Sequence, residues 1–326
     1  MYTSKLDFID TQIAIRKIKT IFESKLTNNL GLLRVSAPLF LESSTGLNDD
    51  LNGTEFPVSF TAITDKKLEI VQSLAKWKRM TLHKYSFSQD SGIYADMNAI
   101  RPNEEVSPIH SLYVDQWDWE KVLSPQERNI NKLKSIVEDI YQSIYQTEGE
   151  LNELYPQLTS KLPEKITFIT SQELEDMFPS LTVKEKELKI AKMHKAVFII
   201  GIGGVLSSGK VHDKRAPDYD DWSLNGDILF YHNPLDVGLE ISSMGIRVDS
   251  ETMKKQLKLS DKEDRLSLNF HKMVLDNIFP LSVGGGIGQS RLSMFLLEKA
   301  HIGEVQSSIW SEQVIKNCES NKIFLL

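Results

Sequence analysis

Ser282-Val-Gly-Gly-Gly-Ile-Gly-Gln-Ser-Arg-Leu-Ser-Met-Phe-Leu-Leu-Glu298 sets three consecutive glycines, Gly284 to Gly286, and a fourth, Gly288, just ahead of an apolar helical pattern at Leu292, Phe295 and Leu296. Backbone without side chains can lie against a flat or charged ligand, and the start of a helix favours an anion. Arg291, in the expected first turn, adds a planar cation able to fork onto phosphate or stack on a purine. The plain alternative is a flexible turn before a surface helix. A dinucleotide fingerprint is excluded, because Gln289 replaces the last glycine and no βαβ unit surrounds it.

Upstream of this stretch, residues 4–29 read as an amphipathic helix with Leu6, Ile9, Ile13, Ile18, Phe22 and Leu26 on one face, ended by Gly31. Leu32 to Val35 begins a strand that Ala37-Pro38 interrupts. A polar loop is expected from Glu42 to Gly53, with Asp49 and Asp50 at its centre, then paired strands at Val58–Ile63 and Leu68–Gln72 around a turn at Asp65. Leu74 to Tyr85 reads as a helix, and Ile93–Ile100 and Ser111–Trp119 as two extended segments. Ser124-Pro-Gln-Glu127 is a capping box expected to open the longest helix, whose apolar face is Leu133, Ile136, Ile140, Ile144 and Leu151.

Shorter helices are expected from Thr170 and Thr182, and a doubly buried strand at Ala196–Ile202. Strands at Asp227–Tyr231 and Leu239–Val248 precede helices near 251–258 and 263–277. With no repeat, low-complexity tract or linker, the pattern predicts one domain over 1–326, an α+β fold with a mostly antiparallel β-sheet flanked by α-helices.

Composition narrows the function. The 326 residues are 40% hydrophobic and 25% charged, with a net charge of −7. Basic residues are spread along the chain, which argues against a nucleic-acid partner. The single cysteine, Cys318, excludes an intrachain disulfide, the first residues lack the apolar core of a signal peptide, and the longest apolar run, Ala196 to Leu206, is too short to span a bilayer. A cytoplasmic protein with no membrane contact is expected.

Two tempting motifs fail. Gly204-Val-Leu-Ser-Ser-Gly-Lys210 has phosphate-loop spacing, but Val211 stands where a magnesium-binding hydroxyl belongs and no apolar helix follows. The seven histidines are scattered singly, so zinc is not expected; His83, His194 and His271 read as helix-surface or core residues.

Polar clusters instead gather at strand ends. Arg101-Pro-Asn-Glu104, His110 and Asp115-Gln-Trp-Asp118 surround one hairpin, and strand alternation puts Gln116 and Asp118 on one face. Glu240-Ile-Ser-Ser243-Met-Gly-Ile-Arg247 adds an acid, a hydroxyl and an arginine, with Asp227 on the preceding strand. Taken singly, each cluster reads equally well as a solvated sheet face or a salt bridge.

Arg101…His110…Gln116-x-Asp118 resembles motif 2 of the class II aminoacyl-tRNA synthetases, Gly284 to Arg291 resembles motif 3, and Gly31-Leu-Leu-Arg-Val-Ser-Ala-Pro38 is similar to the dimer-forming motif 1. Four longer segments are similar to those of a non-tRNA relative, the ammonia-dependent aspartate–ammonia ligases: Ser73 to Arg79, Tyr113 to Trp119, Arg215 to Trp222 and Leu239 to Val248. The resemblance runs from the first helix to the C-terminus. Two departures are visible: Gln72 stands where the family leads us to expect histidine, and the loop between Trp222 and Asn225 is short.

The resemblance implies a class II synthetase-like homodimer that uses ATP, with Mg2+, to adenylate the β-carboxylate of L-aspartate before ammonia displaces AMP. It implies that Arg101 grips the α-phosphate and Arg291 the adenine face and γ-phosphate. His110, Gly285 and Gly286 complete the ATP site, and Asp227 and Glu240 supply carboxylates for magnesium. Lys78 would neutralise the reacting carboxylate. Ser73, Gln116, Asp118, Ser243 and Arg247 would hold the amino acid, and Asp49, ahead of Asp220, would orient or deprotonate ammonium. Glutamine is the less expected nitrogen source, since Cys318 has no glycine turn around it and the chain begins Met1-Tyr2. The rivals are a tRNA synthetase fragment, disfavoured by the lack of a basic RNA face, a silent regulatory paralogue, disfavoured by the presence of Arg101 and Arg291, and a ligase for another amino acid.

Overall fold

The computed structural model describes residues 2–51, 55–63 and 65–326. Helix α1 (Phe8–Leu30) starts at its cap Asp7, which accepts the Asp10 N–H at 2.8 Å, rather than at residue 4. It stops at Gly31 in the left-handed conformation, φ 68°. Its buried stripe is Ala14, Ile18, Phe22, Leu26 and Leu30, while the expected Ile9 and Ile13 stay exposed.

Strand β1 (Leu32–Arg34) follows, then β2 (Phe40–Glu42), β3 (Ser59–Thr61) and β4 (Lys67–Ile70), which form a small antiparallel sheet in the order β2-β4-β3. The paired strands around Asp65 are therefore present. The expected polar loop is narrower: Glu42 ends β2, Ser43–Thr45 is a 3-10 turn, and its far end at Gly53 lies outside the described residues.

Helix α2 (Ala75–Lys84) leads to β5 (Gly92–Ile100) and β6 (Tyr113–Val122). The box Ser124–Glu127 forms as expected but closes only a 3-10 turn, Pro125–Glu127. The long helix α3 (Ile130–Leu154) begins at its own cap, Asn129, which accepts the Lys132 N–H at 3.0 Å. The correction has a local cause: Arg128 leaves the helical region at ψ 71°, so a second cap is required.

Next come β7 (Thr167–Thr170), α4 (Ser171–Met177), α5 (Val183–His194) and β8 (Ala196–Ile200), with both expected capping boxes, Thr170/Glu173 and Thr182/Glu185, closed. The phosphate-loop look-alike is a hairpin closed by the bridge between Val205 and Val211. Then β9 (Asp220–His232), β10 (Val237–Arg247), α6 (Ser250–Leu259), α7 (Asn269–Leu275), β11 (Ser282–Gly288), α8 (Gln289–Leu296) and α9 (Glu312–Ser320) complete the order. The segment expected at 263–277 divides into a 3-10 turn, Glu263–Ser267, and α7. Trp222 to Asn225 is no loop: it lies inside β9 as an irregularity, where the register passes from Gly245 opposite Asn225 to Arg247 opposite Asp220.

The main sheet has the order β1-β5-β6-β11-β10-β9-β8-β7. Only β1–β5 and β7–β8 pair in parallel; the other neighbours are antiparallel, which gives the expected α+β architecture. The triple glycine lies in the middle of this sheet, so it is neither a flexible turn nor a loop. Alternation sorts β6 into two faces. Trp117 and Trp119 are fully buried in the core with Phe22, Ile18 and the α3 face, Phe22 meeting Trp117 at 4.6 Å between ring centroids. Gln116 and Asp118 face a cavity on the other side. His83 is exposed, His194 half-buried and His271 in the interior, as the sequence suggested. No described helix is long and apolar enough to cross a membrane.

Candidate active site

A cavity of about 330 Å3 opens on the polar face of the central strands. It gathers Asp49, Ser73, Lys78, Arg101, His110, Gln116, Asp118, Asp220, Glu240, Ser243, Arg247, Gly285, Gly286 and Arg291, residues scattered over the whole chain. Asp227 is the one expected site residue that does not line it. It stands opposite Ser243 in the β9–β10 register but is covered by Arg215, whose guanidinium pairs with its carboxylate. Arg215 itself lines the cavity.

Glu240 and Ser243 are an odd number of residues apart, which regular alternation would send to opposite faces. A register shift between Glu240 and Ser242 restores both to the cavity.

The glycines serve the protein's own side chains. A Cβ at Gly284 would stand 2.5 Å from Arg247 Nη2 and collide with the Glu120 carboxylate, and one at Gly286 would collide with the Gln116 amide. The glycine strand therefore lets Glu120, Arg247 and Gln116 lie flat over the sheet. The helix start is also taken: Asp115 accepts from Ser290 N–H at 3.0 Å and Ser290 Oγ at 2.8 Å, so the anion expected at α8 is a side chain of the protein.

Buried charges on the cavity floor are mostly paired. Lys78 Nζ donates to Asp118 and, at 2.8 Å, to Trp119 O; burial pulls it below the ordinary lysine value against the pull of Asp118 and Glu120. Arg247 donates to Glu120 through Nε at 2.9 Å and Nη2 at 2.6 Å, and to Asp220 through Nη1. These bonds use three of the five guanidinium N–H groups. Lys78 and Arg247, expected to meet substrate carboxylates, thus stand at the cavity already bound to carboxylates of the protein. Glu120 was missed in the sequence, although Gln116-x-Asp118-x-Glu120 continues the same period of two.

The arginines at the other group of residues are less committed. Arg101 makes no ion pair among the described residues, and its Nε is buried without a hydrogen-bond partner. Arg291 Nη1 donates to the Glu240 carbonyl at 3.1 Å and lies 3.6 Å from its carboxylate. Burial would raise Glu240, but Arg291, Arg215, Lys184 and Arg101 outweigh it and hold the carboxyl below its usual value. His110, bonded to Ser107 at 2.8 Å, is pushed down to about 4 by burial and by Arg291, so it is a neutral ring at physiological pH.

Asp49 sits in the loop before Leu51, whose N–H it caps at 3.0 Å. The residue is 3% exposed, Oδ2 has no donor among the described residues, and burial raises its pKa to about 6. Among the described residues no group of three or more His, Cys, Asp or Glu side chains is placed to hold a metal on its own. Glu240 offers hard carboxylate oxygens to the cavity, of the kind magnesium takes when shared with nucleotide phosphates, whereas Asp227, off the lining and paired with Arg215, does not present its carboxylate there.

The sequence profile of the aspartate–ammonia ligase family matches residues 9–322. The aspartate–ammonia ligase of Fusobacterium nucleatum subsp. nucleatum is 56% identical over 325 residues, covering 100% of this chain and 99% of that protein. That of Levilactobacillus brevis is 55% identical over 327 residues, covering 100% and 98%. Among solved structures, asparaginyl-tRNA synthetase from Pyrococcus horikoshii complexed with asparaginyl-adenylate superposes with a TM-score of 0.68 at 13% identity, over 91% of this chain and 68% of that one. Aspartyl tRNA synthetase from Entamoeba histolytica gives 0.63 at 14% identity, over 91% and 58%. The structural likenesses establish a class II synthetase fold.

Proposed function

The chain belongs to the aspartate–ammonia ligase family, carbon–nitrogen ligases that make asparagine from aspartate and ammonia, and on that premise we propose that it works through a β-aspartyl-adenylate. Ammonia and a bare carboxylate merely form a salt, so the carboxylate must first gain a leaving group. A β-carboxylate oxygen attacks the α-phosphorus of ATP, the bond to pyrophosphate breaks, and the mixed anhydride forms. Ammonia then attacks the β-carbonyl carbon, the C–N bond forms, the C–O bond to AMP breaks, and a proton passes to a base.

The observation that carries this reading is one cavity holding both Arg101, whose buried Nε has no partner among the described residues, and Asp49, whose buried Oδ2 has none among them either. Arg101 and Arg291 neutralise the phosphate charge that grows as pyrophosphate leaves. Neutral His110, Gly285 and Gly286 shape the nucleotide side. Glu240 would help hold Mg2+, which supplies further phosphate neutralisation when bound, and Asp227 would join it only where Arg215 releases its carboxylate.

Gln116, Ser73 and Ser243 orient the aspartate backbone, while the Lys78–Asp118 and Arg247–Asp220 pairs fix the charge pattern that selects it. Asp49, ionised above about pH 6, accepts the ammonium proton, with Asp220 as the second candidate. The chain acts as one catalytic unit in the cytoplasm, dimerising around β1, where Leu33 is 60% exposed on an edge strand. Light scattering at micromolar concentration tests the dimer, and a monomer would refute it.

Product analysis with magnesium-ATP, L-aspartate and ammonium chloride tests the function. Asparagine with AMP and pyrophosphate is expected. Asparagine with ADP and phosphate would reject adenylation while keeping the substrate.

A further inference from the structure

Arg215 takes part in two structures at once. With Asp213 and Lys214 it lines the cavity, and its Nη2 pairs with the buried carboxylate of Asp227. The other oxygen of that carboxylate, Oδ1, has no donor among the described residues. Burial raises the Asp227 carboxyl, Arg215 pulls it down and Glu240 pushes it up, so two acids and an arginine share this corner. The side chain of Arg215 is 16% exposed, that of Asp227 8%.

The other ties on the guanidinium are long and local. Nη1 donates to Asp213 at 3.3 Å and to the carbonyl of Lys214 at 3.4 Å, both within two residues along the chain. The backbone of Arg215 lies in neither helix nor strand, between the hairpin closed at Val211 and the start of β9. A second cavity, of about 1000 Å3, shares Lys214 and Arg215 with the first. The segment thus borders two open spaces and has room to shift.

Chemistry names the group that would draw the arginine away. A guanidinium forks onto phosphate oxygens as it does onto a carboxylate. We propose that Arg215 is a third phosphate-binding arginine beside Arg101 and Arg291, held on Asp227 in the nucleotide-free protein and handed to the polyphosphate tail of ATP when the nucleotide enters. The hand-over rests on the reading of the cavity as an ATP site. It makes the phosphates and Asp227 competitors for one guanidinium, and the step that brings the phosphates in also frees the Asp227 carboxylate. Breaking the pair subtracts from the affinity for ATP, so removing the charge of Asp227 should restore what is lost.

The test measures binding of ATP and of adenosine, which lacks phosphate, by calorimetry in the absence of magnesium. Asp227→Asn should bind ATP about tenfold more tightly than the parent and adenosine equally well. Arg215→Met should weaken ATP and spare adenosine. In the double variant the gain from Asp227→Asn should vanish, because no arginine is left to hand over. If Arg215→Met alone does not fold, the double variant, in which no buried charge is stranded, carries the comparison against Asp227→Asn. A gain that persists in the double variant overturns the hand-over, since relief of negative charge would then act without Arg215. No gain in Asp227→Asn overturns it too, leaving the pair as a fixed structural bridge. If the parent binds neither ligand, the ATP-site reading falls and takes the hand-over with it; if adenosine binds while ATP affinity ignores both residues, the hand-over alone falls.

Discussion

The Glu120 carboxylate and the Arg247 guanidinium meet through two prongs, 2.9 and 2.6 Å, directly over Gly284, and neither side chain is more than 2% exposed. A buried pair of this kind makes its presence felt when one partner is removed, because the other is left as an uncompensated charge.

Glu120→Gln keeps the shape and removes the charge. It should destabilise the protein by about 3 kcal/mol or more in urea denaturation. A loss within the range of surface substitutions would show that the pair is not an integral part of the floor.

Gly284→Ala introduces a methyl into the space that Glu120 and Arg247 occupy. A lowered melting temperature and a raised KM for aspartate are expected, by thermal denaturation and steady-state kinetics. Gly149, inside α3 with nothing within 4 Å of its notional Cβ, is the contrasting position. There Gly→Ala should stabilise by up to about 1 kcal/mol.

Arg101→Ala should leave the melting temperature near that of the parent, since Arg101 makes no ion pair among the described residues. Its kcat should fall by about 10²–10³ or more, the usual effect of removing one preorganised donor. Near-normal turnover would remove Arg101 from the site.

The Asp49 carboxyl, raised to about 6 by burial, accepts a proton only when ionised. The ammonia-dependent rate at fixed ammonium should therefore climb as pH rises through about 6 and fall below it. Asp49→Asn should lose this inflection along with most of the turnover. A pH profile unchanged in that variant would assign the proton to another group.

Much of the fold was legible because single residues decide local geometry: Gly31 ends α1, Thr170 and Thr182 cap α4 and α5, and the unbroken apolar run from Ala196 makes a doubly buried strand. Which residues face the cavity was legible where strand alternation holds, as for Gln116 and Asp118. What was not legible depends on partners distant in sequence. Glu120 meets Arg247 across the sheet, and Arg215 covers Asp227 from a separate loop. Asp115 takes the helix start that a ligand was expected to fill. The shift between Glu240 and Ser242 breaks the period on which face assignment relies. The reading of Trp222 to Asn225 as a loop erred because an irregular strand and a short loop share the same polar composition.

The central claim is that the β-carboxylate of aspartate is adenylated, and following its oxygen tests this most directly. Aspartate labelled with a heavy oxygen isotope in the β-carboxylate is turned over with ATP and ammonium, and the nucleotide product is analysed by mass spectrometry. The adenylate route predicts one labelled oxygen in the phosphate of AMP for each asparagine formed. Unlabelled AMP, or label recovered in inorganic phosphate beside ADP, would contradict it.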